Sequence, residues 1–249
     1  MTLKKSILTI AVVLTSLTLR AQTMADAEKA YQSANYNEAV VLYEQIIGQG
    51  KESAALYYNL GNAYYRLGQN GKAILNYERA LRLKPGDSDT RENLALAESR
   101  TTDRIPAIPQ MFISRWYSSI VSLLSPSGWR IVLLCLLAIV SAIVVIFMLS
   151  TDYRRRRTLV IIGGVAVMLL LASIAITISS SVRFVRHNEA IVTQQAVVVK
   201  GSPENDSVDK FILHEGTKVH IDEQLSGWYK IRLADGSTGW MAVDDIEVI

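Results

Sequence analysis

The side chains that usually build catalytic and metal sites are scarce in this chain of 249 residues. It contains one cysteine, Cys135, and three histidines, so neither a disulfide framework nor a Cys/His metal set is available. His187, His214 and His220 do not have the spacing of metal ligands. The sequence also lacks a nucleophile elbow, a Walker loop, an H-E-x-x-H pair and a Cys/His dyad. We therefore expect a protein that is not an enzyme and that uses no cofactor and no metal ion.

Charge of either sign is missing from two long segments, although the whole chain carries 26 basic and 23 acidic residues, a net charge of +3. Residues 101–187 have nine basic and two acidic groups, or +7, whereas residues 188–249 have five basic and eleven acidic groups, or −6. The positive charge thus flanks the apolar runs, where lipid headgroups would lie. Since the other parts lack the basic surface that phosphate backbones require, we expect no nucleic-acid partner.

The N-terminus has the pattern of an export signal. Two lysines precede the apolar stretch Ile7–Leu19, which spans about 20 Å as a helix and is too short for a bilayer core of about 30 Å. We predict that residues 1–21 form a signal peptide cleaved after Ala21. Leu19 is larger than the residue usually found at its position, so a retained anchor is the alternative.

Two uncharged apolar runs, Ile131–Leu149 and Leu159–Ile178, are each long enough to cross a bilayer, at about 28–30 Å as helices. We predict transmembrane helices over 129–150 and 159–181, with the lipid bilayer as a partner. A soluble core able to bury runs of this length would need a much larger protein around it.

Four consecutive arginines separate the two runs. The predicted loop, 151–158, contains Arg154, Arg155, Arg156 and Arg157 and should be cytoplasmic by the positive-inside rule. We interpret this arginine cluster as a determinant of topology and of lipid contact. The signal peptide exports the segment before the first span, so both soluble parts should be periplasmic, with the chain in a bacterial inner membrane.

Residues 101–128 are predicted to form a linker and an interfacial helix. Ile105–Pro109 is a stiff linker, and apolar residues of Met111–Leu124 recur on one helical face, with Trp116 among them. Such a helix is typical of the membrane surface, where Trp116 and Trp129 would lie at headgroup depth. A helix that binds a partner groove is the alternative.

Residues 25–100 repeat with a period of 34. Ala39 matches Ala73, and Tyr43 matches Tyr77. Each copy predicts a helical hairpin that cannot bury both of its faces alone, so copies must stack.

The second copy resembles a tetratricopeptide (TPR) repeat. The matching residues are 54–65, Gly68, Ala73, Tyr77, Ala80 and Pro85. We place TPR repeats over residues 22–100, as repeats at about 22–53 and 54–87 and a capping helix at 88–100, with Asp87, Ser88 or Asp89 as its N-cap.

The TPR resemblance implies a concave face that binds extended peptides or helices. Its candidate binding residues are Glu28, Tyr31, Gln32, Tyr58, Asn62, Tyr65 and Arg66. The alternative is that Asn62 and Tyr65 are consensus residues that serve the stack alone.

Residues 188–249 change to period two, which predicts five short strands and a small barrel. Gly227-Trp228-Tyr229 and Gly239-Trp240 carry a resemblance to bacterial SH3-like (SH3b) domains. That resemblance implies peptide or cell-wall binding, with Trp228 and Tyr229 as candidate binding residues; we expect Trp240 in the core.

The order of segments resembles the E-type proteins of the Bacteroides aerotolerance (Bat) operon, over nearly the whole chain. The fold expected is a multidomain membrane protein with all-α TPR hairpins, two transmembrane helices and a C-terminal small all-β SH3-like barrel. The resemblance implies a membrane-anchored adaptor whose partners are von Willebrand A-domain membrane proteins, linked to oxidative-stress tolerance. A peptidoglycan-binding module is the rival hypothesis, and a membrane sensor acting through the arginine loop is a third.

Overall fold

The computed structural model describes residues 24–106, 112–185 and 188–249. These residues form two compact units: the first contains 24–83, 87–106 and 188–249, and the second contains 84–86 and 112–185. The predicted signal peptide, residues 1–21, lies outside the described residues.

Five helices form the N-terminal part of the first unit: α1 (residues 24–32), α2 (Tyr36–Gly48), α3 (Ala54–Arg66), α4 (Asn70–Leu83) and α5 (Ser88–Glu98). Ser53 caps α3, since its Oγ accepts a hydrogen bond from the Leu56 amide at 3.1 Å. Asp87 caps α5 by accepting a bond from the Thr90 amide at 3.3 Å. The structure thus selects Asp87 among the three candidate caps.

The helical core of the first unit is built around tyrosines and small residues. Tyr43 and Tyr77, which are 34 positions apart, are each 1% exposed. A Cβ added at Gly61 would lie 2.7 Å from the Tyr77 ring, so the absence of a side chain there lets α3 and α4 approach closely. The helical hairpins predicted from the repeat are confirmed.

The C-terminal part of the first unit is one antiparallel sheet. Its strands are β1 (Glu189–Val192), β2 (Ala196–Lys200), β3 (Asp209–His214), β4 (Lys218–Leu225), β5 (Trp228–Arg232), β6 (Thr238–Ala242) and β7 (Ile246–Val248). Their order is β3-β2-β6-β5-β4-β1-β7, which leaves the sheet open at β3 and β7. The predicted antiparallel strands are confirmed in kind, but there are seven of them and not five.

Strand β1 was missed because both of its faces are covered. Ala190 and Val192 belong to the core of the sheet, whereas Ile191, fully buried, belongs to the core of the helices. A strand buried on both faces has no polar alternation, so period two does not reveal it.

Helix α4 packs against this end of the sheet. Ile191 and Ile249 join the helical core, at 0% and 7% exposure. Arg79 donates to the Val248 carbonyl at 2.8 Å, and Arg82 donates to the Ile249 carbonyl. The TPR helices and the sheet therefore share one core, although they are more than 90 residues apart in sequence.

Two ionic contacts reinforce the junction between helices and sheet. Lys218 Nζ on β4 lies 2.8 Å from Glu78 Oε1 on α4 and 3.0 Å from Glu189 Oε2 on β1. Asp103, which follows α5, accepts hydrogen bonds from the His214 amide and the Thr217 hydroxyl, both at 2.7 Å. The segment after the last TPR helix is thus fixed to the sheet.

The second unit contains three helices: α6 (Phe112–Val121), α7 (Pro126–Leu149) and α8 (Tyr153–Val185). Helices α7 and α8 form an antiparallel hairpin, since Gly163 lies against Ile143 at one level and the Thr177 hydroxyl points to the Trp129 carbonyl at another. Both helices are long and apolar enough to cross a membrane. Arg154–Arg157 lie in the first turns of α8, so the connection itself is only residues 150–152 and the arginines are helical, not in a loop.

Helix α6 divides the apolar residues that the sequence placed on one face. Phe112, Ile113 and Trp116 are 80%, 75% and 60% exposed, whereas Val121 is 3% exposed. The Trp129 indole donates to the Val121 carbonyl at 3.0 Å and is 9% exposed. Trp129 thus packs beneath α6, which leaves Trp116 as the exposed tryptophan of this helix pair.

Candidate protein-binding surfaces

The candidate TPR face comes from α1 and α3. Along these helices, Glu28, Gln32 and Arg66 are exposed, whereas Tyr31 and Tyr65 are half-buried. Helical spacing of three or four residues places side chains on one face, so the exposed polar groups and the tyrosine edges lie together. The face offers carboxylate, amide and guanidinium groups over an aromatic floor.

The deepest part of this face is a network of amides and phenols. The Tyr77 hydroxyl donates to Asn62 Oδ1 at 2.8 Å, and Asn93 Nδ2 donates to the same oxygen at 2.9 Å. Asn93 Nδ2 also reaches the Tyr58 hydroxyl at 3.2 Å. Since Asn62 Oδ1 already accepts two internal bonds, Asn62 and Tyr58 hold α5 against α3. Asn93 was missed as a site residue, although its 34-residue match with Asn59 marks it as part of the repeat.

Cations lie over the aromatic rings at the rim of the face. The Arg66 guanidinium carbon lies 4.9 Å from the centre of the Tyr36 ring, and that of Arg100 lies 4.3 Å from the Tyr65 ring. Tyr36 also meets Tyr31 edge-on, with 5.3 Å between ring centres. Tyr36 and Arg100 were not predicted, because they stand outside the helical positions of the consensus.

Burial affects the ionisation of the aromatic floor. Desolvation raises the pKa of Tyr31, and the Arg66 guanidinium partly offsets this rise. Desolvation also raises the pKa of Tyr43 to about 12. At neutral pH these phenols are therefore uncharged groups.

The sheet separates the two aromatic residues predicted to bind there. Tyr229 packs against the core of the sheet, whereas Trp228 is half-buried on the opposite face of β5, as alternation along a strand requires. In the β5–β6 pairing, Lys230 is opposite Trp240, and its Nζ lies 5.8 Å from the centre of that ring. Trp240 is thus not a core residue, because Met241, fully buried, takes the inward position beside it.

The histidines of the sheet are engaged with carboxylates. His214 Nδ1 lies 2.8 Å from Asp103 Oδ1, and His220 Nε2 lies 3.8 Å from Asp222 Oδ1. Burial raises the pKa of Asp103, but the His214 and Thr217 donors outweigh burial and hold that pKa below its ordinary value. Over the part of the chain that the structure describes, no three His, Cys, Asp or Glu side chains come together as metal ligands.

Comparison with known proteins identifies part of the helical region. Residues 54–87 match the tetratricopeptide repeat family. This match covers α3, α4 and the turn before α5, and the repeat is typical of scaffolds for protein–protein interaction. No curated protein matches the chain.

Proposed function

We propose that this chain is a membrane-anchored adaptor that binds partner proteins through its TPR face. The observation that carries the proposal is the TPR repeat of residues 54–87, with an aromatic and polar face continued onto α1 by Tyr31 and Gln32. A face of this kind suits a peptide or helix, because tyrosines contact apolar side chains while amides and cations bond the backbone.

The exposure of α7 and α8 supports the membrane anchor. Aliphatic residues along both helices are at least half exposed, among them Ile131, Leu137 and Met168 at 63%, 50% and 63%. Exposed apolar surface of this extent is unfavourable in water and favourable in hydrocarbon. The helices α7 and α8 would therefore cross the bilayer as a hairpin.

The connectivity of the first unit supports the predicted topology. The chain leaves this unit after residue 106 and re-enters it at residue 188. Two crossings return a chain to its starting side, so the TPR helices and the sheet would both be periplasmic. Arg154–Arg157 at the opposite end of the hairpin would be cytoplasmic.

A Bat-type complex is the specific setting that we propose. The order of TPR helices, two spans and a C-terminal β module is what resembles the E-type proteins of that operon. In this setting the partners are von Willebrand A-domain membrane proteins, and the complex contributes to oxidative-stress tolerance.

The binding test uses exposed residues, because Tyr58 and Asn62 also hold helices together. Gln32→Ala combined with Arg66→Ala should reduce crosslinking of the full chain to a von Willebrand A-domain partner in intact cells by about tenfold. Lys29→Ala on the same helix α1, also exposed, is the matched control and should leave crosslinking unchanged. Equal crosslinking by all variants would remove the TPR face from the proposal.

The orientation test uses single cysteines in a Cys135→Ala chain. Cysteines at Gln69 and Ser237, both exposed, should react with a membrane-impermeant maleimide in intact spheroplasts, and a cysteine at Thr151 should react only after lysis. Labelling of Gln69 and Ser237 from opposite sides would exclude the hairpin topology.

We propose cell-wall binding by the SH3-like sheet as the second candidate, because Trp228, Lys230 and Trp240 share one face of β5 and β6. Tryptophan faces are suited to stacking on sugar rings. Trp228→Ala in the full chain should then reduce co-sedimentation with purified peptidoglycan. Unchanged sedimentation would leave protein binding as the function of this chain.

A further inference from the structure

An open cavity of about 570 Å³ lies at the end of the α7–α8 hairpin that carries the arginines. Aliphatic side chains of Ile146, Leu149 and Leu159 line one part of it. Arg154 and Arg155 line another part. The cavity therefore combines an apolar wall with two guanidinium groups.

The hydroxyl groups at this cavity add hydrogen-bonding capacity. Ser150 Oγ lines the cavity, has almost no contact with solvent, and makes no hydrogen bond within the described parts of the chain. A buried hydroxyl without a partner is unfavourable, so a ligand oxygen at this point would stabilise it. Thr158 Oγ1, by contrast, already donates to the Arg154 carbonyl at 3.1 Å.

The acidic residue of the cavity is offset by its own contacts. Asp152 Oδ1 accepts a hydrogen bond from the Arg154 amide at 2.9 Å, at the beginning of α8. Asp152 Oδ2 lies 4.0 Å from Arg155 Nε. With two guanidinium groups against one carboxylate, the cavity has a net charge of +1, and the positive end of the α8 dipole adds to it.

The other two arginines of the cluster do not line the cavity. The Arg156 guanidinium instead lies 5.1 Å from the centre of the Phe147 ring. The four arginines therefore divide into a cavity pair, Arg154 and Arg155, and an outer pair, Arg156 and Arg157. This division distinguishes a specific site from a general positive surface.

We infer that this cavity binds the phosphate headgroup of an anionic phospholipid, with Arg154 and Arg155 on the phosphate and an acyl chain along Ile146, Leu149 and Leu159. Guanidinium groups bond phosphate oxygens through two parallel N–H donors. A free phosphate ion would use the guanidinium groups but not the aliphatic wall, which favours the lipid. The inference rests on the proposed membrane anchor, because the cavity meets lipid only if α7 and α8 cross the bilayer.

The test is native mass spectrometry of the full chain in detergent with added phosphatidylglycerol. Arg154→Gln combined with Arg155→Gln should weaken lipid binding by about tenfold, and Arg156→Gln combined with Arg157→Gln by about threefold or less. Both double variants remove two positive charges, so the outer pair is the matched control. Asp152→Asn, which retains a side chain able to cap α8, should strengthen binding a few-fold, since it removes the carboxylate that faces the anion.

Three results would overturn the inference. Equal weakening by the two double variants would show charge attraction without a site. Equal binding of phosphatidylcholine would remove the need for a net anionic headgroup. Displacement of the lipid by millimolar inorganic phosphate would assign the cavity to the free ion. Failure of the membrane anchor is separately visible, because the chain would then leave the membrane fraction on alkaline carbonate washing.

Discussion

The two compact units use the same apolar residue types in opposite ways. In the first unit, Ile74 and Leu75 on α4 are 1% and 2% exposed. In the second unit, Ile131 on α7 and Leu169 on α8 are 63% and 50% exposed. The apolar side chains of the first unit find partners within the protein, whereas those of α7 and α8 largely require partners from their surroundings.

This difference indicates where each unit gains its stability. Burial of a large apolar side chain stabilises a water-soluble fold by about 1.5–3 kcal/mol, and loss of a buried aromatic side chain leaves a cavity besides. An exposed aliphatic residue on a membrane helix has lipid as its neighbour before and after folding of the hairpin, so little of that gain is available to it.

The largest effect is expected from Tyr77→Ala in the first unit. The ring is 1% exposed and lies against Gly61, so truncation should lower the free energy of unfolding by about 3–5 kcal/mol. Since Ile191 and Ile249 share this core, hydrogen exchange should rise in the sheet as well as in the TPR helices. Leu137→Ala, at a half-exposed position of α7, is the control and should change neither. Faster exchange in the helices alone would divide the first unit into independent parts.

A smaller effect is expected where two glycines bring helix and sheet together. Gly216 has a φ of +86°, and a Cβ there would lie 2.7 Å from Thr101 and 3.0 Å from Ile74. Gly227 has a φ of +85° with no heavy atom that its Cβ would meet within 4 Å. Gly227→Ala should therefore cost about 1–2 kcal/mol from backbone strain alone. Gly216→Ala should cost about 1–3 kcal/mol more from overpacking, measured by chemical unfolding. Equal costs would mean that this junction is loosely packed.

The next effect concerns the segment that leads out of the helical part of the first unit. Asp103→Asn should lower stability at pH 7 by about 1–3 kcal/mol, because it disturbs three hydrogen bonds to a largely buried carboxylate. The pKa of Asp103 lies below its ordinary value, so its contribution is full above a pH of about 3.9 and disappears as the pH falls through the lower folded pKa. Thermal unfolding of both proteins across the acidic range checks this convergence.

Asp245→Asn provides the opposite sign. Burial raises the pKa of Asp245, and Asp244 raises it further, so ionisation of this group destabilises the fold at neutral pH. Its replacement by Asn should therefore leave stability at pH 7 unchanged or raise it. A loss comparable to that of Asp103→Asn would contradict the role given to the Asp103 contacts.

The sequence predicts those features whose signal is local and periodic. The 34-residue repeat locates the helices α3 and α4, and the uncharged runs locate α7 and α8. Helical faces and strands follow from the spacing of apolar residues, which a few neighbouring positions determine.

What the sequence does not predict is contact between distant segments. The packing of α4 on β1 and β7 joins residues such as Ile74 and Ile191, which no short-range pattern relates. The same contact hides β1, because it removes the polar face by which a strand is recognised. In the candidate site, the exposed Arg66 follows from helical spacing, whereas the internal bonds of Asn62 depend on Asn93 of another helix.

The smallest effect tests whether charge contributes to the junction as packing does. Lys218 contacts Glu78 and Glu189, and its side chain is 37% exposed, so Lys218→Gln should cost only about 0.5–1 kcal/mol. Burial lowers the pKa of Lys218, but the two carboxylates outweigh burial and raise it. Its contribution should therefore persist below a pH of about 10.4 and disappear as the pH rises through the higher folded pKa. The cost should also shrink in 1 M NaCl, as surface attraction does. Lys230→Gln, whose partner Glu223 lies 3.9 Å away within the sheet, should cost less still; a cost equal to that of Lys218→Gln would show that the ion pairs at the junction add nothing specific to the contact between helix and sheet.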